Sequence, residues 1–191
     1  RIAGCVLANI GAETVSMVVF ENQIPVSLEV FGIGGNDITN DIALGLKISL
    51  EEAESIKLGG ITSTNYSRKR LEEIVSARLG DIFELIEVHL KKIGKSGLLP
   101  AGIIITGGSS SIGAIEDLAR SYLKLPSRTA SLNFGSIQGN NGNSKFQIKD
   151  SSWSVSYGLC IVGNMPEEST ESMGLKKQGK DIFKKVLDII K

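Results

Sequence analysis

Ile103-Ile104-Ile105-Thr106-Gly107-Gly108-Ser109-Ser110-Ser111 is an apolar, β-branched run that breaks into two adjacent glycines, and a helical pattern from Ile112 to Tyr122 follows it. Such a run reads as a buried strand feeding a tight turn, with a backbone bare enough for a flat or anionic group to approach. A related turn, Ala8-Asn9-Ile10-Gly11-Ala12-Glu13-Thr14, lies about a hundred residues earlier, after another apolar strand. Two strand–turn units at that separation predict a nucleotide held between two halves of one fold.

The 191 residues suffice for one domain or two small ones with a proper core. Lys+Arg and Asp+Glu balance at 21 each, and no basic cluster is interleaved with aromatics, so nothing points to nucleic acid. Cys5 and Cys160 both lie in apolar runs and read as small buried core residues in a reducing compartment. No apolar run is long enough to cross a bilayer. With His89 as the only histidine, metal binding and His-based catalysis have little material. The start at Arg1, immediately before a core strand, predicts the C-terminal part of a longer chain.

Along the chain, Cys5–Asn9, Thr14–Glu21 and Ile24–Ile33 read as strands, the last two joined by a tight turn at Asn22-Gln23. Gly34-Gly35 opens a helix with Ile38, Ile42, Ala43 and Leu46 on one side. Ser49 with Glu52 forms a capping-box pattern for a helix through Lys57. Ser67 caps a long helix with Leu71, Ile74, Val75, Leu79, Ile82, Phe83, Ile86 and Leu90 at helical spacing, ended by Gly94 to Pro100. A strand near Arg128, a Gly/Asn/Ser-rich loop over 135–145 and a last core helix over Ser152–Val162 complete the pattern. The order predicts an α/β mixed-sheet domain, split between 1–45 and 100–163 around a small, mainly helical inserted subdomain at 46–99. A polar linker (164–179) and an amphipathic helix (180–191) follow.

This order of motifs resembles the second half of actin-like, ribonuclease-H-like ATPases, and most of all the FtsA family of bacterial cell-division proteins. Gly34 to Ala43 is similar to that family's GGN-x-x-T-x-D-I-A helix start, and Ala53-Glu54-Ser55-Ile56-Lys57 to its A-E-x-I-K. Ala101-Gly102-Ile103 through Gly108 resembles A-G-I-x-x-T-G-G, and Ser154 to Leu159 the family's final helix. The PilM-type pilus-assembly proteins are the nearest alternative. The resemblance implies ATP with magnesium as the ligand, with Gly107 and Gly108 lining the adenosine. It also puts Gly11 and Thr14 in the loop that approaches the phosphates. Glu54 and Lys57, three apart, project from one helical face. The resemblance puts that face at the ribose and adenine, while the residues alone read equally well as a solvated ion pair.

The phosphate loop departs from the family's D-x-G-G-G-T-x-D: Asn9 and Ser16 stand for the two aspartates, and Ala12 and Glu13 for two glycines. Asn and Ser still hydrogen-bond water but bring no charge to a magnesium shell. A Glu13 carboxylate about 4 Å from a phosphate charge would repel it by roughly 4 kcal/mol at an effective dielectric near 20, about a thousandfold in affinity. These departures predict weakened or lost nucleotide binding and little hydrolysis.

The resemblance further implies that the inserted subdomain holds the C-terminal tail of the tubulin-like protein FtsZ, with Arg78 as the contact, and that the body self-associates into filaments. At about 100° per residue, Ile182, Phe183, Val186, Leu187, Ile189 and Ile190 fall on one side of the last helix, with Lys176, Lys177 and Lys180 before it. That pattern suits the headgroup region of an anionic membrane, or packing on the domain. The expectation is a cytoplasmic tether, peripheral on the inner face of the membrane at the division site. A PilM-like scaffold binding a partner peptide is the alternative.

Overall fold

A computed structural model of the chain describes residues 4–60, 65–131, 137–138, 145–146 and 151–164. They fall into two compact units, Arg1–Ser152 and Trp153–Lys191. Three strands open the first: β1 (Cys5–Ile10), β2 (Val15–Glu21) and β3 (Ile24–Phe31). The β2–β3 turn is tight because Asn22 and Gln23 both take positive φ, 50° and 67°, which matches the twist of an antiparallel hairpin. Helices α1 (Gly35–Leu46), α2 (Leu50–Lys57) and α3 (Arg68–Lys92) follow, and then β4 (Ile103–Thr106), α4 (Ile115–Leu123) and β5 (Ser127–Thr129). Ser49 caps α2 by accepting from Glu52 N, and Ser67 caps α3 by accepting from Arg70 N.

The sheet runs β3-β2-β1-β4-β5, with β1 parallel to β4 and β4 parallel to β5. Alternate residues of the central strands, Val6, Ala8, Ile10, Val15, Met17, Val19, Ile103 and Ile105, are buried. They share one cluster with Ile38 and Ile42 of α1 and with Leu79, Ile82, Phe83, Ile86 and Leu90 of α3. Residues 46–99, expected as an inserted subdomain, thus contribute Ala53 of α2 and the C-terminal half of α3 to the same core as the sheet. His89, buried on α3, accepts or donates at Nε2 to Ser27 Oγ (2.8 Å), and its Nδ1 lies 3.2 Å from Glu29 of β3.

Four expectations are corrected. The helix after the double glycine begins at Ile115 rather than Ile112. Residues Gly108–Ser111 form a 3₁₀ turn, and Ala114 at φ 63° breaks the chain before α4 starts with Glu116 and Asp117 in its first turn. Within the expected loop 135–145, Ile137–Gln138 (β6) and Lys145–Phe146 (β7) pair as a short antiparallel ladder. Neither cysteine is buried: Cys5 is half-buried on the open side of β1, and Cys160 is exposed. In the second unit a helix, α5 (Ser154–Gly163), forms as the pattern predicts, but none of its residues is buried.

Phe83, fully buried at the middle of α3, tests the shared core. Phe83→Ala is expected to lower unfolding stability by about 3–5 kcal/mol in urea titration. Leu44→Ala, at a side chain 78% exposed, is expected to change it by less than about 0.5 kcal/mol.

Candidate functional site

Because β1 and β4 are adjacent and parallel, with Asn9 level with Thr106, the turns that follow them lie side by side at one edge of the sheet. β3 is related to β1 by two antiparallel steps and also ends at that edge, so α1 starts there too. β1 leads to β2 on one side and β4 to β5 on the other, which makes the crevice between them the place where an open α/β sheet accepts a ligand.

Local chemistry explains why three turns fit so closely. Gly11 N donates to Thr14 O (2.9 Å) and closes the first turn. Gly35 N and Asn36 N, the first N–H groups of α1, donate to Gly11 O (2.9 Å) and Ala12 O (2.7 Å). Gly34 N donates to the Asp37 carboxylate at 2.8 Å. The start of α1 is therefore occupied within the protein, with Gly35 and Asn36 holding the β1 turn and Gly34 bonded to Asp37. Gly107 has φ 95°, and a Cβ there would meet the carbonyl oxygen of Ile10 and stand 2.8 Å from Asn9 Oδ1. Only glycine brings the β4 turn this close to β1. Gly108, in contrast, would direct a Cβ into open space. Ser109, nearly buried, donates from Oγ to Gly11 O (3.4 Å) and lies against Gly35, tying all three turns together.

Glu54 and Lys57 do share a face, and it is turned to α1. Lys57 Nζ, on a side chain only 6% exposed, donates to Gly35 O (3.1 Å) and Thr39 Oγ1 (2.9 Å) and pairs with Glu54 Oε2 at 2.6 Å. Thr39 Oγ1 in turn bonds the same carboxylate. The Lys57 ammonium is saturated by the protein, while Glu54 keeps 43% of its side chain exposed at the rim. Partial burial raises the Glu54 pKa, but the hydrogen bonds from Lys57 and Thr39 and the lysine's charge outweigh it, and the net shift is downward.

Thr14 and Glu13 are exposed at the tip of the first turn. Arg78 lies elsewhere, between α1 and α3, with Nε 2.7 Å from Asp41 and Nη1 3.3 Å from Asp81. The bond to Asp41 raises its pKa further. A groove of about 330 Å³ beside it is lined by apolar Leu44, Gly45, Ile74 and Ala77 and by charged Asp41, Arg70 and Glu73. Ile182, Phe183, Val186, Leu187 and Ile190 lie outside the described residues. Sequence reading gave no site role to Gly35, Thr39 or Ser109. The signal for the first two was present in Gly34-Gly35-Asn36-Asp37-Ile38-Thr39, whereas nothing marked Ser109 out from Ser110 and Ser111.

Gly108 leaves the backbone open at this edge, and Glu54 keeps a partly exposed carboxylate. Magnesium fits poorly. Asn9 is turned toward Gly107, and Glu13 is the one carboxylate of the first turn.

A family model described as "Cell division protein FtsA" matches residues 6–175. Curated relatives of that name include those of Pseudomonas aeruginosa, 31% identical over 65% of this chain and 35% of the relative, and of Bacillus subtilis, 29% identical over 69% and 34%. The Neisseria meningitidis protein is 29% identical over 92% of this chain and 48% of its own length. The chain thus spans between about a third and a half of these relatives. Among solved structures, a PilM-PilN type IV pilus biogenesis complex has a TM-score of 0.68 at 20% identity, covering 86% of this chain and 47% of that one. MreB5 of Spiroplasma citri bound to ADP has 0.61 at 17%, covering 83% and 53%. These likenesses establish the actin-like fold.

Glu54 supplies a pH test. Its folded-state pKa is depressed, so its contribution is present above the unfolded-state value and lost as pH falls through the folded one. The stability gap between the wild-type chain and Glu54→Gln in urea unfolding is expected to be open at neutral pH and to close in the acid range. A gap unchanged down to about pH 3 would contradict the Lys57–Glu54–Thr39 arrangement.

Proposed function

The chain belongs to the FtsA family of cell-division proteins, and we propose that it acts as an FtsA-like tether whose sheet edge forms half of an actin-type nucleotide cleft. The observation that carries this reading is the meeting of the Gly11–Thr14 turn, the start of α1 and the Gly107–Gly108 turn at one edge. In this reading Gly107 and Gly108 lie along an adenosine, Glu54 accepts from a ribose hydroxyl, and Lys57 positions Glu54 without touching the ligand. Gly11 and Thr14 lie toward the phosphates of ATP. Glu13 opposes those phosphates, and the turn contributes no carboxylate pair for magnesium, so the chain holds nucleotide weakly and hydrolyses little.

The remaining parts of the reading come from the family. The FtsZ C-terminal tail docks in the groove beside Arg78, whose lining mixes apolar and charged side chains. Copies self-associate into filaments, and the helix carrying Ile182, Phe183, Val186, Leu187 and Ile190 lies on the inner face of the cytoplasmic membrane. A single short amphipathic helix binds weakly, so several copies along a filament supply useful attachment. A PilM-like scaffold is the weaker reading, since the family model that matches is that of FtsA and the pilus likeness is one of fold.

Titration calorimetry with ATP tests the cleft. Glu13→Gly is expected to tighten binding at least about tenfold by removing the like charge, and Gly108→Leu to abolish it by filling the open space. Equal affinity in all three proteins would end the nucleotide reading. Flotation tests the tail: the chain is expected to rise with vesicles rich in anionic lipid, and a version truncated after Asn164 to stay behind. Equal recovery of both would favour the pilus-type alternative.

A further inference from the structure

The single histidine of the chain is held in an arrangement that the nucleotide reading does not use. His89 of α3 is buried, with Nε2 2.8 Å from Ser27 Oγ and Nδ1 3.2 Å from Glu29. Strand geometry explains the bracket. Ser27, Glu29 and Phe31 stand opposite Val19, Met17 and Val15, so all three share the core-side face of β3. The Phe31 ring meets the imidazole in a T-shaped contact, with centroids 6.4 Å apart. Just before Ser27 the β2–β3 ladder skips Val26, because Phe20 pairs with Pro25 and Val19 with Ser27. A skipped residue re-aims the side chains around it, and here it turns Ile24 to the Ser27 face.

Donor and acceptor chemistry sets the direction of this relay. A carboxylate only accepts, so the Glu29 contact calls for the ring proton on Nδ1. Nε2 is then the bare nitrogen, and Ser27 is the donor to it. Hydroxyl, imidazole and carboxylate thus stand in the order nucleophile, base and orienting acid. Ser27 is half-buried on an outermost strand, and Glu29 keeps 40% of its side chain exposed, so the trio is reached from the side of the sheet.

We propose that Ser27, His89 and Glu29 form an acyl-transfer site that takes small esters with an apolar acyl group. Ser27 Oγ bonds to the ester carbon as its proton passes to His89 Nε2. The C–O bond to the alcohol then breaks, and the leaving oxygen takes that proton. Water repeats the exchange: it gives a proton to Nε2 and bonds to the acyl carbon, and Ser27 Oγ leaves with the proton. An alcohol and an acid are released. Glu29 touches no substrate and is a positioning residue. The acyl preference follows from the flanks, Ile24 on the Ser27 face and Leu85 one turn before His89, which are 63% and 39% exposed. Besides Glu29, the next charged side chain on that side of α3 is Lys92, one turn beyond His89. The site uses none of the residues of the nucleotide turns or the tail, so it stands or falls apart from the tether reading.

A fluorophosphonate probe traps such a serine: Oγ bonds to phosphorus, the P–F bond breaks and fluoride leaves. With adducts on the intact chain mapped by mass spectrometry, Ser27 is expected to react about a hundredfold faster than exposed Ser111. Its rate is expected to fall as acid protonates the imidazole, and hydrolysis of p-nitrophenyl butyrate to follow the same curve. Ser27→Ala is expected to remove that hydrolysis. Glu29→Gln is expected to slow labelling at least about tenfold with a similar thermal melt, because an amide nitrogen donates to Nδ1 and moves the ring proton to Nε2. Its inflection shifts to lower pH, since the imidazolium has lost its carboxylate. A Ser27 rate no greater than that of Ser111, a rate flat with pH, or a folded Glu29→Gln chain as reactive as the wild type would each overturn the proposal. Should Glu29→Gln not fold, the ratio of Ser27 to Ser111 labelling and its pH curve decide alone.

Discussion

Everything at the candidate site depends on one non-local pairing: β1 beside β4, parallel, with Asn9 level with Thr106. The two strands are about a hundred residues apart, and neither turn has meaning without the other. The close approach of Gly107 to Ile10 O fixes that alignment, because any side chain would force the strands apart. A parallel pair also needs a long crossover, and this chain uses α1, α2 and α3 for it. The packing of α3 on the sheet therefore does two things at once. It fills the core with Phe83, Ile86 and Leu90, and it holds the crossover that delivers β4 to its place.

Local features were legible in the sequence for clear physical reasons. Glycine pairs, a two-residue turn and Ser caps are decided within a few residues, and those at Asn22-Gln23, Ser49 and Ser67 all form where expected. Longer-range matters were not. Helical periodicity shows that α3 has an apolar face but not what that face meets. Ile112 carries the same apolar signal as Ile115, and only the left-handed backbone at Ala114 separates the 3₁₀ turn from the helix. Cys160 lies in an apolar run, yet composition does not tell an exposed apolar helix from a buried one.

The candidate site divides in the same way. Glu54 and Lys57 were legible as a pair because spacing puts them on one face. Their unequal roles were not, because they are set by Thr39 and by the carbonyl of Gly35, 15 to 22 residues away along the chain. A lysine with three acceptors and almost no exposure is part of the frame, and a carboxylate nearly half open is available to a ligand.

That division bears on which end of a nucleotide this edge favours. Phosphate sites usually combine unpaired N–H groups at a helix start with a nearby cation. Here the N–H groups of Gly34, Gly35 and Asn36 are already bonded within the protein, and the Lys57 ammonium is saturated. The exposed charges left on the described turns and their flanking helix, Glu13 and Glu54, are both negative. Two carboxylates offer acceptors to hydroxyl and amine donors and bring no positive charge to a phosphate. On the proposed reading, this edge would meet the nucleoside of a bound nucleotide rather than its phosphates.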